Sequence, residues 1–176
     1  MTCNGPVRVR RASPVDAAGV AHIHADVRLD LHVGSTPDAG SSGARTTARE
    51  ALWHDELALE PPDRAPWVAL IDERLVGFAS GGITRDSEAG ARDGEIYEIV
   101  VDPAHRRLGI GSSLLRHVVR DLREHGFERV HVWVAEDDPT ARAFMSRNAW
   151  IPDGASRSEI RCGAELDEVR YSHTLR

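Results

Sequence analysis

The residues best suited to chemistry lie in one short segment, where a predicted strand ends and a predicted helix begins. Gly109 and Gly111 stand at the start of that helix, and two cationic residues, Arg106 and Arg107, come shortly before them. A glycine has no Cβ, so a ligand can approach the backbone closely at these positions. The first amides of a helix have no partner within it, and the helix dipole favours an anion at that end. The segment therefore predicts a cradle for a diphosphate group.

A plain strand-to-helix turn, with glycine used only for tight packing, is the alternative interpretation of the same residues. The buried strand before the turn, the arginines within it and the long amphipathic helix after it favour the anion site. The pattern differs from a dinucleotide-binding fingerprint, because that motif needs three glycines directly after a first strand and an acidic residue downstream.

The composition narrows the class of protein. The chain has 176 residues, of which 41% are hydrophobic and 28% charged, and this predicts one globular domain over residues 1–176. All 22 basic residues are arginine, which excludes a P-loop lysine and a lysine Schiff base with pyridoxal phosphate. The formal net charge of -6 argues against a nucleic-acid partner and suits a small cationic one. Two cysteines are too few for a disulfide framework or a cysteine-rich zinc site.

The sequence has neither the features of a targeting segment nor histidines at metal-ligand spacing, which predicts a cytoplasmic protein without a metal. The N-terminus has arginines but no apolar core of a signal peptide, and no apolar run is long enough to span a membrane. Alanine, glycine and arginine are abundant, which is typical of a GC-rich bacterial genome. His22 and His24 point to different faces of a helix, and His54 has no second histidine at metal-ligand spacing, so we predict no metal site.

The elements that must position the glycine segment alternate between strands and helices. Ser13, Pro14 and Asp16 form a helix start, and Gly126 ends the long helix after the cradle. Strands are predicted over residues 7–11, 67–71, 75–83, 95–101, 130–134 and 168–175. Helices are predicted over residues 14–31, 46–59, 109–125 and 139–148, with loops over 34–45 and 85–94. This order implies a mixed α/β sheet.

The glycine segment and the elements around it resemble those of a known protein family. Arg106-Arg-Leu-Gly109-Ile-Gly111 is similar to the R/Q-x-x-G-x-G/A motif of the GNAT superfamily of N-acetyltransferases. Residues 95–103 resemble the strand before that motif, and residues 138–150 resemble the family's helix N-x-x-A-x-x-F-Y-x-x-x-G-F. The resemblance covers nearly the whole chain. It implies a mixed, mostly antiparallel central sheet flanked by helices on both faces, with a splayed pair of parallel strands.

The resemblance implies acetyl-CoA as the donor of an acetyl group. Its pyrophosphate would bind at the glycine cradle, and its pantetheine arm would pair like an extra strand with the strand before the cradle. An irregular alternation from Tyr97 to Val100 suggests a bulge in that strand. The donor-binding residues implied are Ile99, Val100, Val101, Arg106, Arg107, Leu108, Gly109, Ile110, Gly111, Ser112, Asp138 and Phe144.

Transfer to an amine needs a base, because an alkyl ammonium is mostly protonated at neutral pH. Glu95 and Glu98 on the strand before the cradle are the two candidates. Glu95 matches by spacing the base of some histone-type family members, whereas Glu98 lies nearer the expected thioester. Either carboxylate could instead bind a cationic substrate or form a structural ion pair.

The sequence also departs from the family pattern. The family often has a tyrosine after the phenylalanine of its last helix, as an acid for the leaving thiolate, but Met145 follows Phe144 here. Methionine cannot donate a proton, so water or another donor such as Tyr97 would take that role. The family's asparagine at the start of this helix is Asp138 here, which suits a helix cap better than a ligand.

The sequence therefore predicts an N-acetyltransferase that moves an acetyl group from acetyl-CoA to a primary amine by direct attack in a ternary complex. No cysteine lies in a motif suited to an acyl-enzyme. The predicted acceptor is a small amine-bearing molecule, with no membrane partner, and a homodimer is compatible with the family. The alternative is an acyl-CoA-binding sensor or partner module without turnover, for which Met145 is the best argument.

Overall fold

The computed structural model describes residues 5–31, 50–55, 57, 66–161 and 164–175. Within them the strands are β1 (Arg8–Arg11), β2 (Trp67–Ile71), β3 (Arg74–Ile83), β4 (Asp93–Val101), β5 (Arg129–Ala135), β6 (Ile151–Arg161) and β7 (Ala164–Thr174). The helices are α1 (Ala17–Leu31), α2 (Ile110–Glu124) and α3 (Pro139–Arg147), and short 3-10 turns cover Pro14–Asp16 and Pro103–His105. Residues 50–55 are also helical. The strands and helices follow one another in the order that the sequence predicts, except that β6 is an additional strand.

The described strands form one mixed sheet in the order β1-β2-β3-β4-β5-β7-β6. The pairs β1–β2, β2–β3, β5–β7 and β6–β7 are antiparallel, whereas β4 and β5 are parallel. The parallel register joins Asp93–Glu95 to Arg129–His131 at the start of both strands. This short pairing is the splayed parallel pair that the family resemblance implies.

The chain divides into two compact units. The first unit comprises Met1–Ser80 and Glu98–Val118, and the second comprises Gly81–Tyr97 and Val119–Arg176. The single domain predicted over residues 1–176 stays a prediction. Among the described residues, none of the helices combines the length and the apolar character that a membrane span requires.

The core of the first unit lies between α1 and the sheet. Phe78 of β3 and Val20 of α1 are fully buried in one apolar cluster with Val68, Leu70, Trp53 and Leu57. Gly77 points to the opposite face of β3, where an added Cβ would lie 3.3 Å from Leu114 of α2 and 2.8 Å from the Val100 carbonyl oxygen. Helices therefore cover both faces of the sheet in this unit, as predicted.

The second unit is built around β5. Its Val130, Val132 and Val134 are buried, and the whole strand pairs with β7, from Arg129 opposite Thr174 to Ala135 opposite Glu168. The buried side chains of this unit also include Leu122, Met145, Trp150 and Tyr171. An added Cβ at Gly94 would lie 3.4 Å from Leu122, so α2 packs closely on the first residues of β4.

Local signals in the sequence placed most elements correctly. Ser13 and Asp16 form the predicted capping box, and Gly126 ends α2 with a φ of +87°. The hairpin between β2 and β3 turns at Asp72 and Glu73, both with positive φ. The predicted helix over 46–59 is helical at 50–55 and 57, and its remaining residues lie outside the described part, as does the predicted loop at 34–45.

The strand β6 was not predicted from the sequence. Its residues Ile151–Arg161 contain proline, glycine and many polar side chains, and no apolar alternation marks them. The strand lies at the edge of the sheet, so it needs no buried face, and its pairing with β7 has an irregularity between Pro152 and Ser156. For the same reason β7 begins at Ala164 rather than at the predicted Glu168.

Candidate functional site

The turn between β4 and the glycine cradle is fixed by Asp102. Its carboxylate accepts hydrogen bonds from the Ala104 amide at 2.9 Å and from Nδ1 of the buried His105 at 3.0 Å. Burial alone would raise the pKa of Asp102, but these hydrogen bonds outweigh it, so the pKa lies below its ordinary value. The Asp102 amide also donates to the Val76 carbonyl of β3 at 2.9 Å. The cradle thus begins from a rigid turn.

The cradle itself is open and carries positive charge. Gly109 has a φ of +78°, and an added Cβ there would meet nothing within 4 Å. The Ser113 amide donates to the Gly109 carbonyl at 3.0 Å, the first bond of the α2 ladder. The amides of Ile110, Gly111 and Ser112 therefore lie at the open end of the helix. Exposed side chains of Arg106, Arg107 and Leu108 come directly before them.

Arg106 connects the cradle to the end of β4. Its Nε donates to the Val101 carbonyl at 3.3 Å, and its side chain is exposed. Val101, Val100 and Ile99 are all partly exposed at this end of the strand. The guanidinium therefore lies beside the backbone at the end of β4, a few residues before the start of α2.

Glu98 forms a close pair with a histidine of α1. Its Oε2 lies 3.2 Å from His24 Nε2, and the two side chains are 32% and 13% exposed, respectively. The next residue on the same side of β4, Val100, packs against the apolar cluster of α1. Glu98 therefore faces α1 and keeps access to solvent, directly before the backbone of residues 99–101.

Glu95 has a different environment in the second unit. Its side chain is only 2% exposed, and it accepts hydrogen bonds from the Arg85 amide at 2.8 Å and from Arg85 Nη2 at 2.7 Å. The Arg85 guanidinium also lies 4.2 Å from the centre of the Tyr97 ring. Glu95 thus forms the structural ion pair that the sequence left open as an alternative to catalysis.

A buried histidine lies next to Glu95. His131 is fully buried, its Nε2 lies 3.0 Å from Thr84 Oγ1, and it is 3.9 Å from the Glu95 carboxylate. Burial lowers the pKa of His131, although the charge of Glu95 opposes this shift. His131 is therefore neutral near pH 7, and it packs as a polar core residue.

The remaining predicted residues lie in the second unit and have structural partners. Asp138 caps α3, since its Oδ1 accepts from the amides of Thr140 and Ala141 at 2.9 Å. The Tyr97 hydroxyl donates to the Ile83 carbonyl at 2.5 Å. Phe144 is half-buried and Met145 is buried.

The first unit gathers Glu98 with every predicted donor-binding residue of β4 and the cradle. Glu95, Asp138 and Phe144 belong to the second unit. Sequence reasoning missed His24 as a partner of Glu98. The available signal was its position one turn after Val20 and next to Ile23, on the buried face of α1.

Comparison with known proteins identifies the family. The sequence model described as the Acetyltransferase (GNAT) family matches residues 30–149. This chain belongs to the GNAT family. The uncharacterized N-acetyltransferase YuaI of Bacillus subtilis is 34% identical over 93% of this chain and 90% of its own length. The mycothiol acetyltransferase of Cellulomonas flavigena is 39% identical over 69% of this chain, which spans only 38% of that relative.

Solved structures share the GNAT fold. An N-acetyltransferase from Staphylococcus aureus has a TM-score of 0.75 at 17% identity, covering 98% of this chain and 100% of its own. The Salmonella typhimurium protein yncA, solved with its cofactor acetyl-CoA, has a TM-score of 0.69 at 20% identity, covering 97% of this chain and 94% of its own. At these identities the likeness concerns the fold. Together with the family match and the named relatives, it makes this chain an acyltransferase of the GNAT family.

Proposed function

We propose that this GNAT protein transfers an acetyl group from acetyl-CoA to the primary amine of a small acceptor, by direct attack in a ternary complex. One observation carries the proposal. The first unit holds an open anion cradle, an accessible strand backbone and a partly exposed carboxylate, Glu98, within one stretch of chain. These are the parts needed to bind a diphosphate, align an extended chain and remove a proton from an amine.

The residues of the cradle fit the donor. A diphosphate needs unpaired amides and fixed positive charge, and the end of α2 offers the amides of Ile110, Gly111 and Ser112 with Arg106 and Arg107 beside them. Gly109 leaves the approach open, since nothing lies within 4 Å of an added Cβ. The extended pantetheine arm suits the backbone of Ile99, Val100 and Val101, with Leu108 at the cradle. The donor-binding roles that the family resemblance implies for Asp138 and Phe144, which belong to the second unit, stay predictions.

Acetyl-CoA, when bound, supplies an acetyl group activated as a thioester. Glu98 would accept a proton from the acceptor ammonium at its carboxylate, which leaves a neutral amine able to attack. A backbone amide near Val101 would donate to the oxygen where negative charge develops. Tyr97 donates to Ile83 and methionine at 145 has no proton to give, so water is the proposed acid for the leaving thiolate.

The acceptor is proposed to be a small molecule with a primary amine. One relative, at 29% identity over 78% of this chain, is named phosphinothricin N-acetyltransferase, and another is named mycothiol acetyltransferase. Each name gives a single compound, phosphinothricin or mycothiol, and neither names a protein or a nucleic acid. The cytoplasmic location and the homodimer predicted from the sequence stay predictions.

The donor site is tested by calorimetric titration with acetyl-CoA, and in parallel with ATP and NAD. We expect micromolar binding of acetyl-CoA that disappears in Gly109→Glu, because the new carboxylate would occupy and repel the cradle. Absence of acetyl-CoA binding would overturn the proposal. An affinity for ATP or NAD as high as that for acetyl-CoA would assign the cradle to another nucleotide.

Turnover is tested with a panel of small primary amines. We expect Glu98→Gln to lower kcat by at least about a hundredfold while the affinity for acetyl-CoA stays nearly unchanged. Glu95→Gln is the matched control on the same strand, and it should retain most of kcat. Binding of acetyl-CoA without acetylation of any amine in the panel would instead support the alternative function, an acyl-CoA-binding sensor or partner module without turnover.

A further inference from the structure

Among the polar pairs of the described residues, the His24–Glu98 pair lies next to the proposed donor-binding backbone. Most acidic side chains in ion pairs are paired with arginines, for example Asp16 with Arg10 and Asp93 with Arg129. The carboxylate of Glu98 lies against an imidazole, with its Oε2 3.2 Å from His24 Nε2. The pair joins α1 to β4 next to the proposed donor-binding backbone.

The two members of the pair have unequal access to solvent. Glu98 is 32% exposed and His24 is 13% exposed. Nδ1 of His24 is inaccessible to solvent. The imidazole therefore cannot present its second nitrogen to an acceptor molecule, whereas the carboxylate keeps partial access to solvent. Of the two groups, the carboxylate is the one placed to meet a substrate.

Aromatic rings limit the orientation of the imidazole. The centre of the His24 ring lies 5.8 Å from that of Phe78 and 6.2 Å from that of Trp53, and Trp53 and Phe78 also contact each other at 5.3 Å. Phe78 is fully buried and Trp53 is 6% exposed. Close packing of this kind holds a ring in one rotamer. The aromatic cluster thus fixes Nε2 toward Glu98.

We infer that His24 is a positioning residue for Glu98, an inference that rests on the proposed function. A protonated Nε2 donates to Glu98 Oε2 and holds the carboxylate in one orientation, directly before the backbone of residues 99–101. A base held in one geometry by a second group works faster than one that samples several rotamers. His24 itself takes no proton from the substrate in this arrangement.

Two substitutions at residue 24 separate positioning from packing. His24→Gln keeps a donor at nearly the position of Nε2, whereas His24→Leu keeps apolar bulk and removes the donor. We expect His24→Leu to lower kcat by about tenfold, with KM for acetyl-CoA unchanged, because one hydrogen bond to a charged group is lost. We expect His24→Gln to restore kcat to within about threefold of the wild type. A residue that only packs would show the opposite order, because leucine suits the apolar cluster better than glutamine.

His22→Leu is the matched control, since His22 lies on the same helix and its side chain is exposed. It should leave kcat unchanged. Thermal unfolding of all variants, together with calorimetric affinity for acetyl-CoA, separates loss of fold from loss of positioning. A His24→Leu variant as active as the wild type would overturn the inference while leaving the proposed function intact.

A second measurement needs neither donor nor acceptor. Nitrogen-15 shifts of the histidine side chains report which ring nitrogen carries the proton. We expect His24 to be protonated at Nε2 in the wild type, and to lose this preference in Glu98→Leu, which has no acceptor. An unchanged His24 signal in Glu98→Leu would overturn the inference even if no amine in the panel were acetylated.

Discussion

At the scale of single residues, the two carboxylates of β4 have different environments although they lie three positions apart. Glu95 is enclosed and bonded twice by Arg85, whereas Glu98 is partly exposed beside His24. A base must reach its substrate, and a buried carboxylate with two donors cannot do so without breaking its ion pair. Glu98 is therefore the proposed base, and Glu95 stabilises the fold.

This assignment predicts an asymmetry in stability. Arg85→Ala leaves the Glu95 carboxylate buried without its guanidinium partner, and we expect the unfolding free energy to fall by roughly 2 kcal/mol. This value is lower than for a fully buried pair, because the Arg85 side chain is about half exposed and solvent weakens its attraction to Glu95. Glu95→Gln keeps an acceptor for the Arg85 amide and removes the buried charge, so we expect a loss of about 1 kcal/mol or less. Urea denaturation measures both values. A larger loss in Glu95→Gln than in Arg85→Ala would contradict the structural role.

At the scale of elements, the parallel pair β4–β5 is joined at its first residues by an ion pair. Asp93 and Arg129 are register partners, with Arg129 Nη2 2.6 Å from Asp93 Oδ2. Burial alone would raise the pKa of Asp93, but hydrogen bonds from Arg129 and the Gly90 amide outweigh it, so the pKa lies below its ordinary value of 3.8. The carboxylate therefore stabilises the folded state only while it is ionised.

A pH dependence follows with a defined sign. Because the folded pKa of Asp93 is depressed, its contribution is present above the unfolded value of 3.8 and is lost as the pH falls through the folded value. We expect the difference in unfolding free energy between the wild type and Asp93→Asn to be largest near pH 6 and to shrink below about pH 4. Urea denaturation at several pH values measures it.

Asp16, Asp86 and Asp102 also have depressed pKa values, but they titrate in both proteins and cancel in this difference. Asp137→Asn, at an exposed turn, serves as the control. A difference for Asp93→Asn that stays constant from pH 6 to pH 3 would refute the role of the ion pair.

At the scale of the whole molecule, the net charge is the property that bears on function. The chain carries a formal charge of -6, and the arginines of the cradle are a local exception to it. A negative field raises the encounter rate of a cationic acceptor, and salt screens it, with a Debye length of about 10 Å at 0.1 M. The acceptor, rather than the anionic donor, should therefore gain from the global charge.

We expect kcat/KM for a cationic amine to fall by about threefold as salt rises from about 0.05 M to 0.5 M, while kcat at saturation stays constant. A zwitterionic amino acid, which has no net charge, is the matched acceptor and should show little change. Steady-state kinetics at several salt concentrations measure both. Equal salt dependence for the two acceptors would show that the net charge does not steer the substrate.

Several features were determined by the sequence alone because their causes are local. The capping box at Ser13 and Asp16, the stop at Gly126 and the apolar face of α2 each depend on a few consecutive residues, and each formed as predicted. The strand, the turn and the helix start around Gly109 belong to the same class, since they are contiguous in the chain. The family motif was visible for that reason. Diphosphate binding there stays a prediction.

Tertiary structure alone decided the rest. The pairing of His24 with Glu98 and of Arg85 with Glu95 joins residues on different elements, and no spacing rule connects them. Burial separated the two carboxylates, which spacing had left as equal candidates. The edge strand β6 formed because pairing with β7 satisfies its backbone, although its side chains show no apolar pattern. Local features depend on residues that are neighbours in the sequence, whereas long-range contacts depend on which faces of the elements the folded chain brings together.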